Sequence, residues 1–585
     1  MTRVMPNSFG IYSFRVMPNH IQLTEDRDMK RRRFLQGTAG GAVLFSGVIT
    51  GCASRKEYDL LVTGGVVYDG TGSPGIETDV AVKGDLIVKI ARKIPKNRSL
   101  DVLEASGMAV APGFIDPHTH TDVHLLANPR GESKIRQGVT TEIGGNCGNS
   151  LFPLSDRSFE EIKRNIDREF GVEVTWKDMK GFFSRLEQGG TSLNYGTLLG
   201  QGNLRDFVMG PNDRPPTPHE LEKMKAVVRD YIQAGALGMS TGLIYVPGSF
   251  AKPDEITELC REAAKLGGIY ATHMRSEEDA VLDAIEETLT TARNSGVSLE
   301  ISHLKANYPR NWSKIDQMLP MLEKAAQEGI PLQADRYPYI ASSTGLDSFF
   351  PQWAREGTTA DFMSRLRDKS LDRRLRQALK EKKAQAGSWD KVVISSVLLE
   401  KNRPLEGKSI LSAASEAKKL PYDFMRDLLL EEENQVAMVN FGMCEENLKR
   451  FLAHPLVIIG SDGRVAAPYG VLAKGKPHPR FYGTFPRVLG KYVREEKVLT
   501  LPDAIRKMTS LAAAKLGLSH RGVIAVGSFA DLVVFNPDTV IDKATFENPH
   551  QYPDGIIHVV VNGQRVINNG EHTGKLPGKI LRNGA

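Results

Sequence analysis

The chain is poor in several features that would assign it to a common class. It has four cysteines in 585 residues, at 52, 147, 260 and 444, and no Cys-x-x-Cys pair. That argues against a disulfide framework. Net charge is also low. The formal +6 includes +4 from residues 1–51 (seven Lys/Arg against three Asp/Glu), so the rest carries 6 − 4 = +2. Such a balance gives no reason to expect nucleic-acid binding. Overall composition is that of an ordinary globular protein, and the length fits one large barrel plus a satellite domain.

The first apolar run is short. Residues 1–28 show no periodicity. Met29-Lys30-Arg31-Arg32-Arg33-Phe34-Leu35-Gln36 is followed by an apolar stretch from Gly37 to Ile49 and then by Ile49-Thr50-Gly51-Cys52. A basic start, a brief apolar core and a small residue before the break form an export signal, too short for a stable membrane anchor. The paired arginines resemble a twin-arginine signal. Ile-Thr-Gly-Cys resembles a lipobox, which makes Cys52 a candidate for lipidation and implies a periplasmic or membrane-anchored lipoprotein. Translation starts at Met1 or at Met29.

What the chain does have is a run of short apolar segments alternating with helical stretches. Tyr58–Gly70 reads as strand, glycine turn and strand, and Thr78–Ile90 as a hairpin around Gly84-Asp85. Near the other end, Phe529–Phe535 and Ile557–Val566 read as strands. The two terminal regions are expected to form one β-sandwich. Between them lie eight apolar segments: Gly113–Ile115, Val139–Ile143, Asn194–Leu199, Gly235–Ser240, Gly268–Thr272, Ser298–Ser302, Pro331–Asp335 and Pro455–Gly460. Eight β-then-α units predict a (β/α)₈ barrel of the TIM type, an α/β fold. A doubly wound open sheet competes, but no dinucleotide glycine fingerprint opens any of the helices. More than a hundred residues separate the seventh and eighth segments, which predicts an inserted subdomain. The expected organisation is an export signal over 1–52, β-sandwich over 53–111, barrel over 112–510 with the insertion at about 350–440, and the second part of the sandwich over 511–585.

In such a barrel the C-terminal strand ends carry the chemistry. The first ends in His118 and His120, whose i, i+2 spacing puts both imidazoles on one face of an extended strand. The second runs into Gly144-Gly145-Asn146-Cys147-Gly148, the fifth ends at His273, the sixth at His303 and the eighth at Asp462. One histidine after a strand is usually a polar cap, a glycine-flanked cysteine a small buried residue, and Asp before Gly a turn former. Their coincidence at five ends makes a metal site the better reading, with zinc suited to such N and S donors. His124, His219, His454, His520, His550, His558 and His572 lack this context and are read as ordinary structural histidines.

These residues resemble the N-acyl-D-amino-acid deacylases (D-aminoacylases) of the amidohydrolase superfamily, from about Tyr58 to the C-terminus. Pro112-Gly113-Phe114-Ile115-Asp116-Pro117-His118-Thr119-His120 marks only the superfamily. More specific are Gly145-Asn146-Cys147-Gly148, Ser302-His303-Leu304-Lys305, Tyr337-Pro338-Tyr339 and the stretch from His478 to Arg487. The resemblance implies one or two Zn²⁺ ions, with His118 and His120 at one position and Cys147, His273 and His303 at the other. Cys147 is able to bridge. Asp462 would be both ligand and catalytic acid/base. Lys305, Tyr337, Ser343 and Arg480 match positions that grip a substrate carboxylate, with Tyr339 as the alternative to Tyr337. Two departures stand out: Gln201, where the family often has histidine, and a lengthened loop at 464–477.

The implied reaction is hydrolysis of an N-acyl-D-amino acid to a carboxylate and a D-amino acid. Zinc lowers the pKa of a water to about 7, and Asp462 is placed to move its proton to the leaving amine. The partner is a small molecule with a free carboxylate, and membrane contact is expected only through a lipid anchor. A dipeptidase releasing a C-terminal D-amino acid keeps the same chemistry. A cyclic amidase or deaminase has no need of the Lys305/Arg480 pair. A non-catalytic metal-binding lipoprotein has no need of Asp462.

Overall fold

A computed structural model describes residues 56–584; the export signal and Cys52 lie outside the described residues. Eight parallel strands form the barrel: β1 (Phe114–Asp116), β2 (Val139–Gly144), β3 (Asn194–Thr197, resuming as Leu199–Gly200), β4 (Gly238–Gly242), β5 (Ile269–His273), β6 (Ser298–Ile301), β7 (Leu332–Arg336) and β8 (Val457–Ile459). They pair in sequence order as three strands plus six, strand β3 being counted in both. A parallel bridge from Thr119 to Gly463 joins the first strand to the last and closes the ring. Nearly every strand residue is buried, because helices cover the outside and side chains fill the inside. The open-sheet alternative is therefore excluded.

Two strands depart from the sequence reading. Strand β3 breaks at Leu198, whose N–H is drawn to Gly144 O at 3.0 Å. The loop carrying Cys147 presses in there: a Cβ on Gly145 would lie 2.0 Å from Leu198 O. Strand β4 starts at Gly238 rather than Gly235, because Gly235 is still turning at φ +116°.

The sandwich has a four-stranded and a seven-stranded sheet. The seven-stranded one draws on both ends of the chain: Ala109–Pro112 pairs antiparallel with Leu532–Phe535. Tyr58–Val67 forms strand, glycine turn and strand as read, but the two strands join different sheets. Tyr58–Thr63 lies in the smaller sheet, while Val66–Val67 crosses to the larger and pairs parallel with Ala109 and Val110. Gly64 and Gly65 permit the step, since a Cβ on Gly65 would meet Val110 at 2.7 Å. The hairpin at Gly84-Asp85 forms as read.

Between β7 and β8 lies a separate unit. Ser342–Gly345, Val436–Asn440 and Val392–Val397 make an antiparallel sheet, with the central strand last in sequence. Helices between residues 352 and 431 pack on it around Phe349, Phe362, Leu375, Trp389 and Met425. Its sheet begins at Ser342, eight residues before the expected boundary, which carries Ser343 to the mouth of the barrel. Among the described residues no helix is long and apolar enough to cross a membrane.

Candidate metal centre

Two donor groups meet at the C-terminal ends of the barrel strands. One comprises His118, His120, Cys147 and Asp462, the other Cys147, His273 and His303; within each, one donor atom per residue lies within 4.8 Å of the others. Cys147 belongs to both. Its Sγ is 3.3 Å from His118 Nε2 and 3.6 Å from His303 Nε2. Asp462 Oδ1 is 3.1 Å from His120 Nε2 and 3.6 Å from His118 Nε2.

Three of these residues have left-handed backbones: Cys147 at φ +51°, His303 at +39° and Asp462 at +48°. Each costs a non-glycine residue on the order of 1–3 kcal/mol, so the surroundings must impose it. Gly145 N–H donates to Asp122 Oδ1 and Gly148 N–H to Ser240 Oγ, each at 3.0 Å, fixing both sides of Cys147. His303 N–H donates to Asp335 Oδ1 at 3.0 Å. Asp462 N–H donates to His118 O at 2.9 Å, and Ser461 N–H to Asp116 Oδ1 at 2.9 Å. Below them the fully buried Lys134 ammonium lies 2.8 Å from Asp116, 2.9 Å from Glu142 and 2.7 Å from Ser461 Oγ. It ties β1, β2 and β8 together at the floor of the site.

A supporting carboxylate sets the His118 tautomer: Asp335 Oδ2 is 2.9 Å from His118 Nδ1. His303 Nδ1 lies between Glu277 Oε1 at 2.9 Å and the Lys305 ammonium at 2.8 Å. With its Nδ1 protonated, His118 presents an Nε2 lone pair toward Cys147. Glu277 also pairs with Lys305 Nζ. The charges shift one another strongly. Burial alone would raise the Cys147 thiol, but His118, His120 and His273 hold it well below its ordinary value. Burial opposes charge on His120 too, yet Asp462 and Cys147 bring it up to about 9. Asp462 is kept well below the usual carboxylate range despite burial, chiefly by Arg480 and His303. Glu277 is lowered likewise by Lys305, His273 and His303.

The donor set fits zinc. Both ring nitrogens of His273 are buried with no hydrogen-bond partner, an expensive arrangement for a polar ring unless something occupies one of them. Thiolate, imidazole and carboxylate are zinc's common donors, and a three-ligand group such as Cys147/His273/His303 leaves a position open.

The centre opens into a cavity of about 1210 Å³, lined by barrel loops and by the inserted unit. Lys305, Ser343, Asp462 and Arg480 lie on its wall. Arg480 opens a helix (Arg480–Arg487); its Nη1 is 2.8 Å from Asp462 Oδ2, and its Nη2 donates to Ser343 O at 3.5 Å. Neutral His478 positions it, accepting Arg480 N–H on Nδ1 at 3.0 Å while its Nε2 lies 2.8 Å from Ala341 O. Tyr337 is not on this wall, and its buried hydroxyl has no hydrogen-bond partner. It is fully buried behind the wall, its ring 4.3 Å from the Arg336 guanidinium and 4.6 Å from that of Arg480. It supports Arg480 from behind. Tyr339 is no substitute on the wall, since its hydroxyl goes to Asp542 at 3.2 Å. Gln201 is buried against Glu255 at 3.1 Å and does not face the cavity, so the departure there is structural.

Sequence reasoning missed Asp335, Glu277 and His124. His124 lines the cavity, with Nδ1 3.1 Å from Thr121 O; burial and nearby Arg464 keep it neutral. Glu277 had a signal, sitting four residues past His273. Asp335 had one as well, at the end of the seventh apolar segment.

An amidohydrolase family model matches residues 101–378 and 413–567. A D-aminoacylase of Alcaligenes xylosoxydans xylosoxydans is 35% identical over 534 residues, covering 90% of this chain and 98% of that one. An N-acyl-D-aspartate deacylase of the same organism is 35% identical over 538 residues, covering 90% and 96%. The structure of an N-acyl-D-glutamate deacylase from Bordetella bronchiseptica, with zinc and a phosphonate mimic of the tetrahedral intermediate, superposes with a TM-score of 0.77 at 32% identity, covering 90% of this chain and 99% of that one. The (β/α)₈ barrel, the terminal sandwich and the extent of these matches together show that the chain belongs to the D-aminoacylase group of the amidohydrolase family.

Proposed function

We propose that this protein is a zinc-dependent hydrolase that cleaves the amide of N-acyl-D-amino acids to a carboxylate and a free D-amino acid. The observation that carries the reading is Asp462, paired with Arg480 at 2.8 Å and belonging to one of two donor groups that share Cys147. His118, His120, Cys147, His273, His303 and Asp462 would hold the metal. When bound, zinc supplies Lewis acidity, which makes water nucleophilic near neutral pH and polarises the carbonyl.

The chain's own residues supply the rest. Arg480 suits a free carboxylate because its planar fork matches both oxygens, and Lys305 adds charge on the same wall. Once the substrate carboxylate takes part of the guanidinium, Asp462 is relieved of a partner that keeps its pKa low. It is then a better base at Oδ1, and it returns the proton to the leaving nitrogen. Asp462→Asn is expected to lower kcat by roughly 10²–10⁴-fold, the usual worth of a positioned acid/base, and to spare zinc content at the Cys147/His273/His303 position. The decisive assay measures amine release from N-acetyl-D- and N-acetyl-L-amino acids by the zinc-loaded enzyme, with and without a chelator. Absence of D-selective, metal-dependent release across a broad panel would sink the reading.

A cavity of about 1210 Å³ exceeds what a small N-acetyl amino acid fills, which favours a second reading with a larger acyl group. There the enzyme is a dipeptidase releasing a C-terminal D-amino acid, and L-D dipeptides compared with acetyl-D-amino acids separate the two. We also propose export through the segment Met29–Cys52, with Cys52 lipidated. Cell fractionation of Cys52→Ala tests this: the variant should leave the membrane fraction, and an unchanged distribution refutes anchoring.

A further inference from the structure

The cavity wall carries eight arginine and lysine side chains. Seven are engaged within the protein. Arg157, Arg275, Lys305, Lys382 and Arg480 each face a carboxylate, while Arg355 and Lys474 contact backbone carbonyls. Arg464 is the exception. Among the described residues it makes no hydrogen bond and no ion pair; its guanidinium only overlies the Phe481 ring, 5.4 Å from the centroid. It follows Asp462 by two residues, in the lengthened loop, and it lies where the catalytic cavity meets a second cavity of about 1300 Å³.

The Glu169 carboxylate attracts this cation without pairing with it, while Arg480 repels it. Arg480 is on the same wall. Glu161 and Glu169, on the facing helix Asp156–Phe170, stop short of ion-pair distance. A half-buried guanidinium on a cavity wall, with five donors and no acceptor within the protein, is free to take one from a ligand. A carboxylate fits best, because the fork binds both oxygens at once.

We propose that Arg464 is a second anion-binding position in the catalytic cavity, so that the preferred substrates carry a second carboxylate in addition to the one facing Arg480. This rests on the deacylase reading above and narrows its substrate class. The second carboxylate belongs either to an acidic D-side chain or to a dicarboxylic acyl group, and the two sources are separable.

The test compares kcat/KM of the zinc-loaded enzyme on N-acetyl-D-glutamate, N-acetyl-D-aspartate, N-acetyl-D-glutamine, N-acetyl-D-leucine and N-succinyl-D-leucine, for the native chain, Arg464→Met and Arg464→Lys. The native enzyme should prefer a doubly charged substrate over its neutral counterpart. Arg464→Met should cut that ratio roughly 10–100-fold, as expected for loss of a hydrogen-bonded charge pair, and Arg464→Lys should restore part of it. Preference for the acetyl-D-acids identifies the side chain as the source; preference for N-succinyl-D-leucine identifies the acyl group. Hydrolysis of N-acyl-D-amino acids with no preference for a second carboxylate in the native enzyme overturns this inference and leaves the deacylase reading standing. So does an unchanged ratio in Arg464→Met, or equal losses of melting temperature in Arg464→Met and Glu169→Gln with selectivity intact, which would mark Arg464 as structural. No turnover of any N-acyl-D-amino acid overturns the deacylase reading itself.

Discussion

Replacing Asp335 by asparagine changes one atom in the floor of the metal centre and should disable one of its two positions. The carboxylate is fully buried and has two tasks: Oδ1 accepts His303 N–H at 3.0 Å, and Oδ2 lies 2.9 Å from His118 Nδ1. An amide keeps the first task through its oxygen. It then turns NH₂ toward His118, which must accept on Nδ1 and carry its proton on Nε2. That nitrogen is the one 3.3 Å from Cys147 Sγ and 3.6 Å from Asp462 Oδ1, so it no longer offers a lone pair to a metal. Supporting residues of this kind are typically worth about 10–100-fold in metal affinity, or about 1.4–2.7 kcal/mol. The loss should fall on the position held by His118 and His120. The one held by Cys147, His273 and His303 should change less, because the His303 backbone bond survives. Asp335→Ala removes both tasks and should cost about 1–3 kcal/mol of stability as well, through the orphaned His303 N–H. Competition of the zinc-free chain against a chromophoric chelator, with elemental counting of bound zinc and a melting curve for each variant, reads all of this. Native affinity at both positions in a well-folded Asp335→Asn would refute the tautomer argument.

Cys147→Ala should cost more bound zinc than His118→Ala, because Cys147 serves both donor groups and His118 one; elemental analysis after dialysis decides, and the reverse order counts against the shared thiolate. In the zinc-free chain, His120 is raised from its ordinary value to about 9. A raised folded-state value stabilises fully below about 6.5 and loses that contribution as pH rises through about 9. The melting temperature of the zinc-free protein should therefore fall across that window more than that of His120→Asn. Zinc uptake must displace the His120 proton, so calorimetry at pH 7 in two buffers of different ionisation enthalpy should show proton release, smaller in His120→Asn.

The barrel was legible because its strands are short apolar runs whose ends announce themselves with histidine, cysteine or aspartate. His118, His120, Cys147, His273, His303 and Asp462 come together for that reason. What escaped was set by contacts distant in sequence. The break of β3 at Leu198 depends on how closely Gly145 approaches. Nothing near Tyr337 in the sequence announces that the Arg336 and Arg480 guanidiniums both lie against its ring. Asp335 reads as one more polar strand end until its two bonds to different strands' residues are seen. Arg464 carries no local signal at all, since its interest lies in the partners it lacks.

The sheet that pairs residues 109–112 with residues 532–535 also constrains how the chain comes off the ribosome. The segment leading into β1 has no neighbour on that side until Phe535 has been synthesised. Two further bridges, Thr191 to Pro577 and Tyr195 to Ile580, delay the finishing of β3 still longer. A nascent chain stalled within the barrel would leave these edges bare. Native packing, and with it any secure hold on a metal ion, is therefore a late event in the life of each molecule, reached only when the translation machinery has almost let go.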